Sequence, residues 1–473
     1  NKIVVKKIWW LFIILLIVFQ IHNTIAQTWS AVGVGLNNIV RSLVADTINN
    51  ILYAGGSFNS WQGGPLDSLI SIAKWNGIQW SAVGNGNDLW VPFSGVHALT
   101  FQNNEIYLGG NFGYFDPSTL KNSFGVAKWD GIKWSTLSWG FSGSSILPGV
   151  TTVYDITVYN NEIIAGGSFL YAFDTIPENI DTLNFITRWD GFNWKPLDLG
   201  ITDTTSLMIA VKAVEVYMGE LYVGGYFNKA GSKAVNRIAK WNGTQWSSPG
   251  NYPGWPVPYC FTIYNSALYT GGNGNNILKW DGFVWDTIGT IQGNPPLINT
   301  LSVFQNELIA GGFFDSINGI PAKNIAKWDG MNWTTLGNGT TGSSGEVEAL
   351  AVLNNELYVG GWFSQAGGVP ASFIAKWCDP ICDTSTNIEE KDALVQSINI
   401  YPHPNNGQFI LLIQRKEPAS IYIYNLLSKV VYQKDNIISP KLNIDVSNQP
   451  AGVYFIKIQS EKQIITQKII ITK

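Results

Sequence analysis

Charge, cysteine and histidine are all scarce in this chain of 473 residues. Asp, Glu, Lys and Arg together make up 13% of it, about half the usual share of roughly 25%. Beyond residue 26 the only histidines are His97 and His403, and the three cysteines are Cys260, Cys378 and Cys382. Two neighbouring thiols cannot supply the four ligands of a structural zinc, so no metal centre is expected. Positive charge is also missing from the middle of the chain. Residues 1–26 carry net +3 and residues 397–473 net +5, which leaves −12 over residues 27–396. An acidic region without a basic stripe argues against nucleic acid as a partner.

A membrane-spanning run is lacking too. The apolar-rich stretch from Ile8 to Ile21 falls short of the roughly 20 residues needed to cross a bilayer. It follows Lys6-Lys7 and precedes Thr24-Ile25-Ala26 before Gln27, the order of an export signal with a small-residue cleavage site. A signal peptide over 1–26 is therefore expected, with no stable transmembrane segment. An exported chain permits disulfides, and Cys378 and Cys382 are close enough in sequence to pair.

Glycine (49) and tryptophan (21) are plentiful, and both recur in one phrase. A hydrophobic strand ends in a glycine doublet, a loop follows, and then comes a phrase of the kind Lys-Trp-Asp-Gly-x-x-Trp. The doublets are Gly55-Gly56, Gly109-Gly110, Gly166-Gly167, Gly224-Gly225, Gly271-Gly272, Gly311-Gly312 and Gly360-Gly361. The downstream phrases start at Lys74, Lys128, Arg188, Lys240, Lys279, Lys327 and Lys376. A spacing of 40–58 residues between doublets suits a repeat with one β-blade per unit.

Each unit reads as four strands, A to D. In the last unit, strand A resembles Val347–Val352, strand B Leu357–Gly361 and strand C Ile374–Trp377. Elsewhere an Asn-Gly or Asp-Gly dipeptide leads from C into D, the signal of a two-residue hairpin turn. That turn would set Trp75 opposite Ile78 and Ala73 opposite Trp80, with both tryptophans on one face. Rings recurring in every unit are read as packing between blades rather than as a sugar platform.

The ends of the repeat predict a closed ring. The last unit stops after Trp377 without a D strand, while Thr28–Gly33 repeats Gln79–Gly84 almost letter for letter. An N-terminal strand that completes the last blade leaves no open sheet edge. The expected fold is all-β, a seven-bladed β-propeller over residues 27–383 closed by its N-terminal strand. The strand, Gly-Gly, loop, aromatic-x-Trp phrase resembles kelch-type propellers, with Trp75 and its equivalents where kelch repeats usually carry Tyr. A WD-repeat's Gly-His signature is missing. Asp130-Gly131-Ile132-Lys133-Trp134 is one residue short of a sialidase-type Asp-box. The kelch resemblance implies architecture only, since such propellers include binding scaffolds and enzymes.

The A–B and C–D turns are short throughout, whereas the B–C and D–A loops, at the other face, vary widely. Recognition is expected on those loops, and the candidate ligand-binding residues are Trp61, Trp90, Tyr114, Trp139, Tyr171, Tyr252 and Trp255. The loop acids Asp88, Asp116, Asp174 and Glu178 have the chemistry for acid–base work or for holding calcium. No pair of them has diagnostic spacing, so no catalytic residue and no cofactor are assigned. A copper centre of the galactose-oxidase kind needs several histidines, so Tyr259-Cys260 is not read as its cofactor.

After a charged linker (384–396) the composition changes. Residues 397–473 alternate Ile, Val and Tyr with polar residues, as in Ser420-Ile421-Tyr422-Ile423-Tyr424, and predict a small Ig-like β-sandwich. Three ordered pieces, Ile400–Phe409, Ile423–Val430 and Gln449–Ile458, resemble the type A C-terminal sorting domain of the type IX secretion system of Bacteroidota. The residues that carry the resemblance are Tyr401, Pro402, Pro404, Gly407, Gly452 and Tyr454. It implies passage through the type IX translocon, removal of this domain by a sortase-like peptidase, and a propeller secreted or held at the cell surface. The expected function is a binding module for a glycan or a surface protein. Two alternatives stand beside it: a carbohydrate-active hydrolase or lyase, and a structural adhesion component.

Overall fold

The glycine doublets and the tryptophans together set how the sheets fit. The computed structural model describes residues 28–64, 69–84, 89–116, 121–138, 140–143, 151–175, 179–203, 208–378, 398–401, 406–413, 418–425, 429–437, 439, 441–459 and 464–472. The expected signal peptide, the linker and Cys382 lie outside them. The chain divides into two compact units, Asn1–Thr384 and Ser385–Lys473.

Among the described residues the first unit contains seven antiparallel sets of four strands in the order A-B-C-D, five as separate sheets and two joined within one ten-stranded sheet through the pair Asn273–Leu297. Their A strands are Val40–Asp46, Leu89–Gln102, Val153–Tyr159, Ala210–Tyr217, Val257–Tyr264, Leu297–Phe304 and Glu346–Leu353. Strand B is buried along most of its length, as in Glu356–Trp362 where Leu357 to Gly361 are all inaccessible. Burial on both faces is what a sheet stacked between two neighbours demands. The seventh sheet takes its D strand from the start of the chain: Thr28–Ala31 pairs with Ile374–Cys378, Trp29 opposite Trp377. The unit is a β-propeller.

The first glycine of each doublet is a seat for the next blade. A Cβ on Gly55 would lie 2.5 Å from Val96 Cγ1, and one on Gly311 2.5 Å from Val347 Cγ1. The same fit joins the last blade to the first, where a Cβ on Gly360 would lie 2.5 Å from Val40 Cγ1. The D-strand tryptophans stitch the outer part of the ring. Trp80 Nε1 donates to Val32 O at 3.0 Å, Trp194 Nε1 to Leu137 O at 3.0 Å and Trp246 Nε1 to Leu197 O at 3.1 Å. In every case the acceptor stands three residues after the tryptophan of the preceding blade, so one register repeats around the ring.

The turns differ from expectation. Trp75 pairs directly with Trp80, and Ala73 with Ala82, so the C–D connection has four residues instead of two. Asn76 decides this, because its Oδ1 accepts the N–H groups of Ile78 and Gln79, both at 2.9 Å, an Asx-turn that holds a wider loop. Asp130, Asp190, Asn242, Asp281 and Asp329 act in the same way. Two-residue turns with positive φ at both positions occur between A and B, as at Asn103 (52°) and Asn104 (65°). The lysine that opens the C-strand phrase also has a role in four of the units. Lys128, Lys240, Lys327 and Lys376 lie 2.6–2.8 Å from Glu105, Glu220, Glu307 and Glu356 at the start of strand B. Arg188 meets Glu162 in the same way at 2.8 Å.

The second unit has a three-stranded and a four-stranded antiparallel sheet. Phe409, Leu411, Ile421, Ile423, Leu442, Ile444, Ile456 and Ile458 form its core, the inward half of the alternation seen in the sequence. Tyr454 is buried and its hydroxyl donates to Pro450 O at 2.8 Å.

Candidate functional site

Every A strand carries a β-bulge at the same place, opposite the glycine doublet of strand B. The second glycine makes room for it: a Cβ on Gly56 or Gly361 would collide with the carbonyl oxygen of Ile39 or Glu346. A bulge leaves one residue unpaired and re-aims its side chain. The bulged residues of blades 1 to 4 are Arg41, His97, Tyr154 and Lys212, and those of blades 5 to 7 are Tyr259, Asn299 and Glu348. All seven are polar or ionisable, and all are half-buried.

Contacts run from blade to blade along this ring. Arg41 Nη1 lies 3.5 Å from Glu348 Oε1. His97 meets Tyr154 edge-on with ring centres 5.9 Å apart. Lys212 Nζ sits 3.2 Å from the centre of the Tyr154 ring and 5.5 Å from that of Tyr259. Asn299 Nδ2 donates to Glu346 Oε1 at 2.8 Å. Lys212 also acts on Glu348, three blades away, so the bulged side chains converge on the inside of the ring.

Burial sets the charges. It pushes His97 down to about 3, helped by Arg41 and Lys212, so the imidazole is neutral. Lys212 is lowered by burial to about 8, against the pull of Glu348. Glu348 is raised by burial to about 7, although Arg41 opposes the shift. Asp155, next to the ring, is raised by burial to about 7 while accepting the N–H groups of Val214 and Ile156, both at 2.8 Å. It braces blade 3 against blade 4.

A cavity of about 480 Å³ opens beside the ring at blades 3 to 5, within the range typical of small-ligand sites. Tyr154, Lys212, Tyr226 and Tyr259 form its polar wall, and Phe185, Met208, Ile209 and Ala210 its apolar one, with Ser168 between them. The hydroxyls of Tyr226 and Tyr259 are 2.8 Å apart, and Asn273 Nδ2 donates to that of Tyr226 at 2.9 Å. Burial pushes the Tyr259 hydroxyl well above its ordinary range. The Arg237 guanidinium lies 5.8 Å from the Tyr226 ring and 5.3 Å from the Trp255 ring. Phe185 and Met208 come from B–C and D–A connections, so the cavity is on the long-loop face.

The loop aromatics named from the sequence take different positions. Trp255 is 54% exposed. Trp61 is half-buried, bridged to Leu36 and packed on blade 1. Tyr171 is half-buried on the strand Tyr171–Thr175. Tyr114 and Tyr252 are buried: Tyr114 lies against Trp134 at 6.3 Å, and Tyr252 meets Trp285 edge-on at 5.0 Å and donates to Pro256 O. These two rings fill the protein rather than face a ligand. Trp139 and the side chain of Trp90 lie outside the described residues, as do Asp88, Glu178 and the side chains of Asp116 and Asp174. Cys378 is buried, 3.1 Å from Glu356 Oε1. Cys260 is buried, and burial raises its thiol to about 12. Among the described residues no three His, Cys, Asp or Glu side chains cluster as metal ligands.

Tyr154, Lys212, Tyr226 and Tyr259 were not picked out by loop length. A signal existed: the bulged residue stands twelve positions before the first glycine of the doublet in six units, and fourteen before it in the first. At those positions the alternation of strand A is broken by a polar residue.

In the second unit Gly407 adopts φ 94°, and its carbonyl accepts the Val446 N–H at 2.7 Å. Tyr401 is on the strand Ile398–Tyr401 and Gly452 begins the strand Gly452–Gln459. Pro402, Pro404 and the Tyr401 side chain lie outside the described residues. Residues 399–472 match the family model of the secretion system C-terminal sorting domain. The C-terminal unit is a type IX sorting domain. The protein is thus a type IX-exported β-propeller, secreted or at the cell surface. No helix among the described residues is long and apolar enough to cross a membrane.

Curated proteins give no match. Among solved structures, the chain is similar to the computationally designed Ika8 protein at 13% identity, over 74% of this chain and 99% of that one, with a TM-score of 0.41. It is similar to the GH74 enzyme of Niastella koreensis at 16% identity, over 82% of this chain and 59% of the other, TM-score 0.43. It is similar to Raptor of Chaetomium thermophilum at 10% identity, over 74% and 29%, TM-score 0.40. Likeness at this level says nothing about activity.

Proposed function

We propose that the exported propeller is a recognition module, seven-bladed and kelch-like, which takes its ligand in the tyrosine-lined cavity on the long-loop face. The cavity carries this reading. It is concave, sits where the variable loops meet the ring, and joins aromatic surface to a few fixed polar groups, the composition of a small-ligand site. Its wall offers one ammonium and paired phenols, a set suited to holding a ligand rather than to two-carboxylate hydrolysis. Half-buried tyrosines that join ring surface to a hydroxyl suit a saccharide. Tyr171 on blade 3 and Trp255 before blade 5 would extend the surface around the opening, and Trp61 on blade 1 would add to the same face further round the ring.

A surface protein is the second ligand class, and a different observation favours it. Ile78, Ile132, Phe192, Phe283 and Met331 are 81–87% exposed at equivalent C–D turns, on the face opposite the cavity. Repeated exposed apolar residues suit a protein contact.

For export, the reading assigns the translocon and a sortase-like peptidase as partners of residues 397–473, with Tyr401, Pro402, Pro404, Gly407, Gly452 and Tyr454 carrying the signal. The testing experiment is a glycan and polysaccharide binding screen on the full exported chain, with product analysis of each bound polymer, repeated on Tyr259→Ala. Binding of intact polymer that Tyr259→Ala abolishes supports the reading. Cleaved polymer replaces it with an enzyme, and binding indifferent to Tyr259 moves the site elsewhere.

A further inference from the structure

We propose that the cavity selects an anionic saccharide and that Lys212 reads its acid group. The inference rests on the recognition reading above and adds the ligand's charge. Lys212 is held in the cavity wall by two tyrosine rings, at 3.2 and 5.5 Å from their centres. Among the described residues no carboxylate oxygen comes within ion-pair distance of it. The acid whose charge acts on it, Glu348, is already engaged by Arg41 at 3.5 Å.

An ammonium taken partly out of water without a counter-charge is costly to the protein. Cation–π contact repays a part of that cost and leaves the remaining N–H donors unused. An anionic group on a ligand supplies the missing partner, and the low dielectric of the wall strengthens the pairing. One further cation adds to the positive potential: Arg237 above Tyr226.

The rest of the cavity asks for more than a simple ion. Tyr226 and Tyr259 present a bonded pair of hydroxyls, able to exchange hydrogen bonds with sugar hydroxyls. Phe185, Met208 and Ile209 form the apolar side, which suits the C–H face of a pyranose. A uronic-acid carboxylate and a sulfate ester meet the same requirement, a negative group at the edge of a polyhydroxylated ring.

The test is calorimetric titration of the full exported chain with oligogalacturonate, sulfated oligogalactan and neutral oligogalactan of equal length. Wild type is expected to bind at least one anionic oligomer about tenfold or more tighter than the neutral one, with affinity falling as salt rises. Lys212→Met should bring that oligomer down to the neutral level, while Lys212→Arg keeps the preference. The wild-type salt dependence decides the matter even if a variant fails to fold. Preference for galacturonate assigns a carboxylate, and preference for the sulfated oligomer assigns a sulfate. Equal binding of all three overturns the charge inference and leaves the recognition reading standing. No binding of any oligomer overturns both.

Discussion

The indole Nε1 of Trp29 donates to the carbonyl of Leu336 at 3.0 Å, across 307 residues of sequence. It is the same bond that Trp80 makes to Val32, so the first strand of the chain fills the slot of a missing fourth strand. The ring is held by a hydrogen bond, by ladder pairing to Ile374–Cys378, and by a buried ring 5.2 Å from that of Trp377. Trp29→Phe keeps much of the packing and orphans the Leu336 carbonyl, for an expected loss of about 1–3 kcal/mol. Trp29→Ala should cost about 3–5 kcal/mol. Chemical denaturation of the full chain checks both. Equal, small losses would mean that closure contributes little.

The closing seam has a second component that can be tested by compensation. Gly360→Ala places its Cβ 2.5 Å from Val40 Cγ1, and overpacking of this kind costs about 1–3 kcal/mol. Val40→Ala alone leaves a cavity and also destabilises. The double variant should recover part of the sum, because each change makes room for the other. Gly361→Ala is different: its Cβ meets the backbone oxygen of Glu346. No side-chain change relieves that clash, so Val40→Ala should not rescue it.

The repeat was legible because packing repeats. Trp29 and the doublet glycines each satisfy one constraint imposed by a neighbouring blade, and the strand C lysines one imposed inside their own, and such constraints return at a fixed place in the sequence. The turn register was less legible: Asn76 followed by Gly77 is the letter pair of a two-residue turn, and only the bonds from its side chain to Ile78 and Gln79 distinguish the wider loop. The cavity was least legible. Arg41, His97, Tyr154, Lys212, Tyr259, Asn299 and Glu348 share a position but not a residue type, so no motif marks them, and the bulge that aims them follows from a glycine twelve residues away in most units. Loop aromatics looked more exposed than they are, since Tyr114 and Tyr252 had neighbours, Trp134 and Trp285, that composition could not reveal.

His97 gives a pH signature. Its folded value is lowered to about 3, below an unfolded value of roughly 6.5. Between these two values the unfolded chain binds the extra proton, so stability rises with pH and is lost as pH falls from roughly 6.5 towards 3. The contribution is at most about 1.4 kcal/mol per pH unit. Glu348 and Asp155, both raised to about 7, act in the opposite sense, losing stability as pH rises through the weakly acidic range. The wild-type profile mixes these effects, whereas the difference between wild type and His97→Gln isolates the first. That difference should fall steadily below pH 6.5, measured by denaturant titration at several pH values. A flat difference would mean that His97 takes up its proton in the folded protein.

Export offers a test in which folding of the sorting domain and function of the propeller separate. Gly407 adopts φ 94°, and a Cβ there would lie 2.6 Å from Ser447 Cα. A β-branched residue fits neither the conformation nor the space, so Gly407→Val should break the Gly407–Val446 backbone bond and misplace the strand Gln408–Ile413. The propeller is a separate compact unit and should keep its thermal transition. In cells using type IX secretion, the variant is expected to collect in the periplasm with the sorting domain uncleaved, while wild type reaches the surface or the medium. Tyr454→Phe removes only the bond to Pro450 O, worth about 1 kcal/mol, and should be exported nearly normally. Normal surface delivery of Gly407→Val would show that the translocon does not need this turn, and would separate recognition of the domain from the geometry at Gly407.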